Sequence, residues 1–173
     1  MKKILILSDT HGKCDLMYEI INKVKPINSL VHCGDVGYGG IERELSAASD
    51  CPVHVVCGNN DYGSDYPYTD SFTVQGHKII VTHGHRQRVY SDLSPLLYLA
   101  EENRADIVMF GHLHVPVVKA WEGITLVNPG SLTYPRQSNR LPSYIMMTIE
   151  DSGDVRYAVR FVEVTKKGIR ILV

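Results

Sequence analysis

Short apolar runs rich in β-branched residues alternate, along most of the chain, with segments of helical periodicity. The runs, each bounded by Gly, Asp or Asn, cover residues 4–7, 30–31, 53–56, 79–81, 107–110 and 124–127. Runs of this length and composition predict buried strands. Apolar residues recur every three or four positions over residues 16–24, 41–48 and 93–102, which predicts three helices. Strands that alternate with helices predict a largely parallel sheet with helices on its faces, and thus an α/β fold.

The pattern changes after Tyr144, where longer apolar runs are separated by Ser152-Gly153 and by Lys167-Gly168. Such dipeptides are typical of tight turns, so this part of the chain predicts antiparallel strands. We expect these strands to form a second sheet that packs on the first. A length of 173 residues is usual for one domain, and we expect a single domain over residues 1–173.

Charge and composition argue against several classes of function. The formal net charge is -1 and the charged residues are scattered, which argues against nucleic-acid binding. No apolar stretch approaches the ~20 residues of a membrane span. The apolar run after Lys2 and Lys3 ends at Ser8-Asp9, too early for an export signal, so we expect a cytoplasmic protein. The four cysteines form no CxxC pair, and we expect them to stay reduced and outside the functional site.

A polar cluster comes directly after each of the six apolar runs. The clusters are Asp9-Thr10-His11-Gly12, Gly34-Asp35, Gly58-Asn59-Asn60-Asp61, His83-Gly84-His85, Gly111-His112-Leu113-His114 and Asn128-Pro129-Gly130-Ser131. An open α/β sheet binds its ligands outside the carboxyl ends of its strands. We therefore expect the six clusters to converge at one end of the fold.

The chemistry of the clusters is that of a metal site. Their carboxylate, imidazole and amide oxygen groups, without a thiolate, suit Mn, Fe, Zn or Mg. In an extended segment residues i and i+2 project to the same side, so Asp9 with His11, and His112 with His114, can each supply two ligands to one cavity. Seven candidates are too many for one ion of roughly four- to six-fold coordination, which predicts two ions that Asp35 could bridge. The seven are Asp9, His11, Asp35, Asn59, His83, His112 and His114.

Simpler interpretations exist for single residues. Asp9 could be only the N-cap of the helix that follows it, and Asp35 only a turn residue. Their occurrence together with five other candidate ligands at strand ends favours a metal site. His32, His54 and His77 lie outside the clusters, and we expect each to be a hydrogen-bonded structural residue.

Two segments rich in Pro and Tyr, residues 61–70 and 133–142, are predicted to be surface loops that could shape a substrate cleft. The second segment contains Arg136, which could bind a phosphate. An exposed and solvated side chain is the simpler interpretation of Arg136.

The motifs Asp-x-His, Gly-Asp, Gly-Asn-x-Asp, His-Gly-His and Gly-His-x-His, in this order, resemble those of the calcineurin-like metallophosphoesterases. The compact size and the Asn-Pro-Gly-Ser segment are similar to the small bacterial and archaeal YfcE-like phosphodiesterases of that superfamily. The resemblance extends from Met1 to about Arg136, and it is specific because all the motifs occur together. It implies a four-layer α/β sandwich, in which two packed, mainly mixed β-sheets are flanked by helices.

The resemblance also implies the function of a metal-dependent phosphoesterase, in particular a phosphodiesterase. The ligand sets that it implies are Asp9, His11 and His114 for a first divalent ion, Asn59, His83 and His112 for a second, and Asp35 for both. We expect Mn²⁺, with Fe, Zn, Ni or Mg as alternatives. In the family, a hydroxide that bridges the ions attacks, in line, a phosphorus whose oxygens both ions bind. The expected partner is a small phosphate ester, without nucleic acid or membrane, and the resemblance also suggests a homo-oligomer.

Asn60 departs from the pattern of many members of the superfamily, which have a His there that can protonate the leaving oxygen. Asn cannot act as an acid, so we expect a preference for substrates with acidic leaving groups. His85 could replace that acid or contact the substrate, or it could make only a structural hydrogen bond. The candidate catalytic residues are therefore Asp35, Asn60 and His85.

The main alternative function is a non-catalytic, protein-binding scaffold. The retromer subunit that shares this fold uses its surface for partners and has a weakened metal site. Every ligand that the resemblance implies is present in this chain, which favours the enzyme.

Overall fold

The computed structural model describes residues 1–172, and Val173, the last residue of the predicted domain, lies outside the described residues. The elements are β1 (Lys2–Leu7), α1 (Asp15–Val24), β2 (Ser29–His32), α2 (Ile41–Ser49), β3 (Val53–Val55), β4 (Thr69–Val74), β5 (His77–Thr82), α3 (Ser94–Asn103), β6 (Ile107–Met109), β7 (Pro116–Trp121), β8 (Ile124–Pro129), β9 (Ser143–Ile149), β10 (Val155–Thr165) and β11 (Gly168–Leu172). The strands and helices that the periodicity predicts are confirmed, and β4 and β7 are additional. No helix in residues 1–172 is long and apolar enough to span a bilayer.

The strands form two mixed sheets. The first has the order β11-β10-β9-β1-β2-β3, and the second has the order β4-β5-β6-β8-β7. Parallel pairing joins β1 to β2 and β2 to β3, and it also joins β5 to β6 and β6 to β8. The parallel pairing that the alternation of strands and helices predicts is thus confirmed, but it is divided between the two sheets.

The prediction that the C-terminal strands form the second sheet is wrong. β9 pairs antiparallel with β1, with Ile4 opposite Met147, and β10 and β11 extend the first sheet from there. The physical reason is that residues 4–7 of β1 are completely buried, so both edges of this strand need a partner. The second sheet is built from the middle of the chain.

β4 and β7 are not apparent in the sequence because they are edge strands with exposed residues. β4 alternates exposed and half-buried residues, and four of the six residues of β7 are exposed. Neither strand therefore contains a continuous apolar run. Thr69 and Asp70, predicted to lie in a loop, begin β4 because they pair with Thr82 and Val81 of β5.

Four layers enclose the core. The inner faces of the two sheets pack together, for example Ile6 and Val31 of the first sheet with Val81 and Met109 of the second. α1 and α2 cover the outer face of the first sheet, and α3 covers that of the second. Complete burial of each such side chain stabilises the fold by about 1.5–3 kcal/mol. This is the four-layer sandwich that the family resemblance implies.

His77, at the start of β5, joins the second sheet to the turn between β9 and β10 of the first. Its Nδ1 contacts Asp106 Oδ2, and its Nε2 lies 2.8 Å from the carbonyl oxygen of Gly153. Both partners are acceptors, so both contacts are hydrogen bonds only when both ring nitrogens carry a proton. Burial lowers the pKa of His77, but the Asp106 carboxylate and the Gly153 carbonyl outweigh it and raise the pKa above its usual value.

We predict that His77 stabilises the fold more at about pH 5 than at about pH 9. Because its pKa is raised in the folded state, the contribution is complete below the unfolded-state pKa of about 6.5 and is lost as the pH rises through the folded-state value. The stability lost in His77→Gln should be larger at the lower pH by at most about 1 kcal/mol, because water screens a partly exposed pair. Urea unfolding at both pH values measures the difference, and Asp106→Asn should reduce the pH dependence in the same way. An equal loss at both pH values would contradict the prediction.

Candidate metal centre

Hydrogen bonds link all six polar clusters at the carboxyl ends of the strands. The backbone N–H of Asp9 donates to the Gly34 carbonyl over 3.0 Å, and the Asp9 carboxylate accepts the backbone N–H of His112 over 3.2 Å. The backbone N–H of Gly111 donates to the His83 carbonyl over 3.1 Å. The other links run from Asp35 N–H to Asp61 Oδ2, from Asn128 Nδ2 to the Gly111 carbonyl and from Ser131 Oγ to the Asp9 carbonyl. The clusters therefore converge as the sequence predicts.

One set of donors consists of Asp9, His11, Asp35 and His114. Their potential ligand atoms all lie within 4.8 Å of one another. Asp9 Oδ1 is 3.0 Å from His114 Nε2 and 3.8 Å from His11 Nε2, and the latter is 3.8 Å from Asp35 Oδ2. Ligands that bind one ion at about 2.0–2.2 Å lie roughly 3–4 Å apart, so this set could surround a single ion.

A second set of donors also includes Asp35. His83 Nε2 lies 3.5 Å from Asp35 Oδ2 and 3.2 Å from Asn59 Oδ1. The ring of His112 is centred 5.0 Å from that of His83. The seven candidate side chains thus meet in two sets that share one carboxylate, and their role as metal ligands remains a prediction.

Asp9 contains a buried oxygen that a cation would satisfy. The residue is completely buried, and its Oδ1 accepts no hydrogen bond from residues 1–172. Its Oδ2, in contrast, accepts one from Ser8 Oγ over 2.5 Å. A buried carboxylate oxygen without a donor is unfavourable unless a cation binds it. The geometry at Oδ1 therefore fits a metal ion.

Backbone carbonyls orient two of the candidate histidines. Nδ1 of His83 lies 2.7 Å from the Cys33 carbonyl oxygen, and Nδ1 of His114 lies 2.8 Å from that of Tyr134. A carbonyl can only accept, so each Nδ1 carries a proton and each Nε2 faces the carboxylates. A second contact of this kind is typical of histidines that bind metals.

The charges at the site shift pKa values in opposite directions. Burial alone would raise the pKa of Asp9, but the adjacent rings of His114 and His83 hold this pKa below its usual value. The pKa of Asp35 is also lowered, because contact with His83 outweighs burial. Burial and the nearby His83 lower the pKa of His112 to about 4, so its ring is neutral at pH 7 and can bind a metal.

Five of the seven candidate ligands have positive backbone φ angles. They are Asp9 (57°), His11 (47°), Asp35 (54°), His112 (67°) and His114 (58°). The expectation that Asp9 with His11, and His112 with His114, each reach one cavity is met. The segments that carry them are not extended as expected, because both turn through the left-handed region. Each such residue costs on the order of 1–3 kcal/mol and persists because its surroundings fix it. Such strain is concentrated at functional sites.

Gly58 and Gly111 lie so close to the carboxylates of Asp35 and Asp9 that no larger residue fits at either position. A Cβ atom on Gly58 would lie 2.1 Å from Asp35 Oδ1. A Cβ atom on Gly111 would lie 2.9 Å from Asp9 Oδ2 and 2.1 Å from the hydroxyl oxygen of Ser8. No side chain can be accommodated at these distances, so these glycines allow backbone and carboxylate to approach each other.

Asp61 supports the site, and the sequence does not reveal this role. Its buried carboxylate accepts backbone N–H groups from Asp35 over 2.8 Å, from Gly37 over 2.7 Å and from Gly58 over 2.8 Å. It thereby fixes the two loops that carry Asp35 and Asn59. Asp61 is the last residue of the Gly-Asn-x-Asp motif, which marks it as a candidate for a functional role. Spacing alone does not distinguish a carboxylate that binds backbone N–H groups from one that binds a metal.

The other two candidate catalytic residues lie beside the second set. Asn60 donates its backbone N–H to Asp35 Oδ1 over 2.8 Å and its Nδ2 to Oδ2 over 2.7 Å, so it orients the shared carboxylate. The ring of His85 is centred 5.3 Å from that of His83. The buried Nδ1 of His85 has no hydrogen-bond partner in residues 1–172, and burial lowers the pKa of this ring.

The structure also tests the simpler interpretations of single residues. Cys14 is the N-cap of α1, so Asp9 does not cap that helix. His32 is hydrogen-bonded to Thr10 and Gly34 of the polar clusters, whereas His54 and His77 bond to Asp70 and Gly153 away from them. None of these partners is a candidate ligand, as expected for structural histidines.

Comparison with known sequences points to one family. Residues 1–152 match the model of the calcineurin-like phosphoesterase superfamily domain. The chain is 35% identical, over 156 residues, to the probable metallophosphoesterase YsnB of Bacillus subtilis. The match covers 89% of each protein.

Solved structures share the fold over nearly the whole chain. A predicted phosphoesterase from Streptococcus pneumoniae TIGR4 is 31% identical, with a TM-score of 0.77 over 99% of this chain and 97% of that one. Vps29 from Entamoeba histolytica, solved with zinc, is 22% identical, with a TM-score of 0.75 over 98% of this chain and 97% of that one. At 22% identity the likeness to Vps29 shows the fold alone.

We predict that Mn²⁺ stabilises the protein through Asp9. A ligand at 100 times its dissociation constant stabilises the folded state by about 2.7 kcal/mol, which raises the Tm of a chain of this size by roughly 5–10 °C. Asp9→Asn should lose most of the shift, because it removes a charged ligand. Thermal unfolding with and without Mn²⁺ measures the effect, with Glu101→Gln on the exposed end of α3 as the control. Equal shifts in the two variants would contradict the prediction.

Proposed function

The chain belongs to the calcineurin-like phosphoesterase superfamily, and we propose that it is a phosphodiesterase that uses two divalent metal ions. The observation that carries the proposal is the meeting of six donor residues around one shared carboxylate, that of Asp35. A phosphodiester has a single negative charge at neutral pH, and a cluster of bound cations suits it as a substrate.

The seven donors would divide between the ions as two overlapping sets. Asp35 would belong to both sets, because its Oδ2 lies 3.8 Å from His11 Nε2 and 3.5 Å from His83 Nε2. The proposed first set is Asp9, His11, His114 and Asp35, and the proposed second set is Asn59, His83, His112 and Asp35. Donors of these types suit Mn²⁺, which we propose for both positions.

The charge of the donor set favours an anionic substrate. Two carboxylates, Asp9 and Asp35, against two divalent ions leave a net positive site, and Asn59 adds a ligand without adding negative charge. When bound, the ions would polarise the phosphoryl oxygens and lower the pKa of water enough to supply a nucleophile at neutral pH.

The residues next to the donors support a preference for acidic leaving groups. Asn60 holds Asp35 through two hydrogen bonds and has no proton to give to a leaving oxygen. Burial lowers the pKa of His85, which disfavours the protonated ring that a general acid requires. The leaving group would therefore depart as an anion, which is easy for an aryloxide and difficult for an alkoxide.

A protein-binding scaffold of the same fold is the second candidate function, because the fold that the chain shares with Vps29 does not by itself require catalysis. The buried Oδ1 of Asp9, which no donor in residues 1–172 satisfies, favours the enzyme. A scaffold has no need for a buried carboxylate oxygen that faces three further potential metal ligands. The homo-oligomer that the family resemblance suggests stays a prediction.

We predict that the protein hydrolyses bis(p-nitrophenyl) phosphate in the presence of Mn²⁺ and that a chelator abolishes the activity. Asp35→Asn and His114→Ala should each lower kcat/KM by at least about a hundredfold, since loss of a ligand should exceed the 10- to 100-fold effect of an outer-shell partner. His77→Gln, a histidine outside the site, is the control. Release of p-nitrophenol is followed by absorbance. A background rate that is independent of the metal in all variants would favour the scaffold.

We predict that kcat/KM falls steeply as the leaving group becomes less acidic. The expectation follows from the lack of a general acid at Asn60 and the lowered pKa of His85. A series of methyl aryl phosphates, with dimethyl phosphate as the alkyl limit, measures the slope. His85→Gln should keep the slope of the wild type, because His85 donates no proton in this account. Comparable turnover of aryl and alkyl esters would contradict the prediction, and a steeper slope in His85→Gln would identify His85 as the acid.

A further inference from the structure

The proposed metal centre opens into a cleft of about 180 Å³. Its floor contains residues of both donor sets, among them Asp35, His112 and His114. Four further residues of the wall, Asn60, Tyr90, Tyr134 and Arg136, belong to neither set. A group bound at the donors could therefore place a substituent next to Tyr90 and Arg136.

The backbone of Arg136 is fixed to a candidate ligand. Its N–H donates to the His114 carbonyl over 2.9 Å, while the Tyr134 carbonyl accepts the Nδ1 proton of His114 over 2.8 Å. The segment from Tyr134 to Arg136 is thus held to His114 at two points. The backbone of Arg136 is therefore held in a fixed position relative to the proposed metal centre, as is required of a residue that binds a ligand there.

The guanidinium of Arg136 is also held in place. It donates from Nη1 to the Tyr90 hydroxyl and lies 5.7 Å from the centre of the Tyr90 ring. The Tyr90 hydroxyl in turn donates to the His112 carbonyl over 2.7 Å. Arg136 is exposed, as its simpler interpretation expects, but it lies against the wall of the cleft.

The positive charge on this side of the cleft is not neutralised within the described part of the chain. Neither Arg136 nor Lys13 forms an ion pair with a carboxylate of residues 1–172. The Lys13 Nζ lies 5.1 Å from the centre of the Tyr134 ring, which also lines the cleft. Two cations therefore lie near tyrosine rings that line the cleft.

We propose that Arg136, with Lys13, binds a second anionic group of the substrate, separate from the phosphate that is cleaved. The inference rests on the proposed function, because it assumes that the scissile phosphate occupies the donor sets. It names the substrate class as a phosphodiester with one arm that carries a further phosphate. A guanidinium matches such a group, because it donates two parallel hydrogen bonds to a phosphate and keeps its charge at all relevant pH values.

A second arginine–tyrosine pair, beside a different cleft, provides a matched comparison. Arg86 lies 3.8 Å from the centre of the Tyr68 ring, and Tyr68 and His85 line a separate cleft of about 310 Å³ that also reaches Asn59. Arg86 is likewise without a carboxylate partner in residues 1–172. The same arginine and tyrosine chemistry is therefore present twice, and only the Arg136 pair is tied to the backbone of the proposed ligands.

The test compares two substrates that differ by one phosphate. Both are p-nitrophenyl esters of thymidine 5'-phosphate, one with a free 3'-hydroxyl and one with a 3'-phosphate, so the leaving group is identical. The wild type with Mn²⁺ should prefer the 3'-phosphate by at least about tenfold in kcat/KM, the effect of one charge-assisted hydrogen bond. Arg136→Gln should reduce this preference at least about tenfold. Arg136→Lys should restore part of it, and Arg86→Gln should leave it as in the wild type.

A binding measurement separates this proposal from the proposed function. Calorimetry in Mn²⁺ compares thymidine 3',5'-bisphosphate with thymidine 5'-monophosphate in the same variants. If the wild type hydrolyses neither ester but prefers the bisphosphate through Arg136, the proposed function is wrong and the anion site is supported. If the esters are hydrolysed without preference, or if the preference persists in Arg136→Gln, the anion site is wrong. Loss of the preference only in Arg86→Gln would assign the anion to the other cleft and would also overturn the proposal.

Discussion

The burial of two carboxylates between the strand ends is the constraint on which the rest of the structure depends. Asp9 is completely buried and Asp35 is 1% exposed, yet both retain lowered pKa values because imidazole rings surround them. Buried negative charge of this kind is strongly unfavourable unless it is paired or bound to cations. The histidine rings, the neutral amide of Asn59 and the hydrogen-bonded loops are all consistent with a site that compensates this charge with metal ions.

The four-layer fold explains how such a site can be maintained. Both sheets end at the same place, so the loops after β1 and β2 meet those after β5 and β6. Backbone strain at residues such as His11 and His112 is held by hydrogen bonds between loops that are far apart in the sequence. The loops are held in place in two ways. The Asp61 carboxylate accepts hydrogen bonds from several backbone N–H groups, and at Gly111 only a glycine fits.

The sequence predicts the strands, the helices and the convergence of the clusters because these depend on local patterns, whereas the four-layer arrangement follows only from the family resemblance. Apolar runs identify the strands, and polar residues directly after them identify the edge at which they meet. The sequence does not predict which sheet β9 joins, because pairing with β1 depends on a contact between distant residues such as Ile4 and Met147. The roles of Asp61 and Arg136 are hidden for the same reason, since their partners are known only when the chain is folded.

We propose that two neighbouring cations bind between the strand ends and share Asp35. Anomalous X-ray scattering from crystals of the protein grown with Mn²⁺ tests this directly. Two manganese peaks are expected about 3.5–4 Å apart, both in contact with the Asp35 carboxylate. The absence of manganese at this place, a single peak, or peaks that do not touch Asp35 would contradict it.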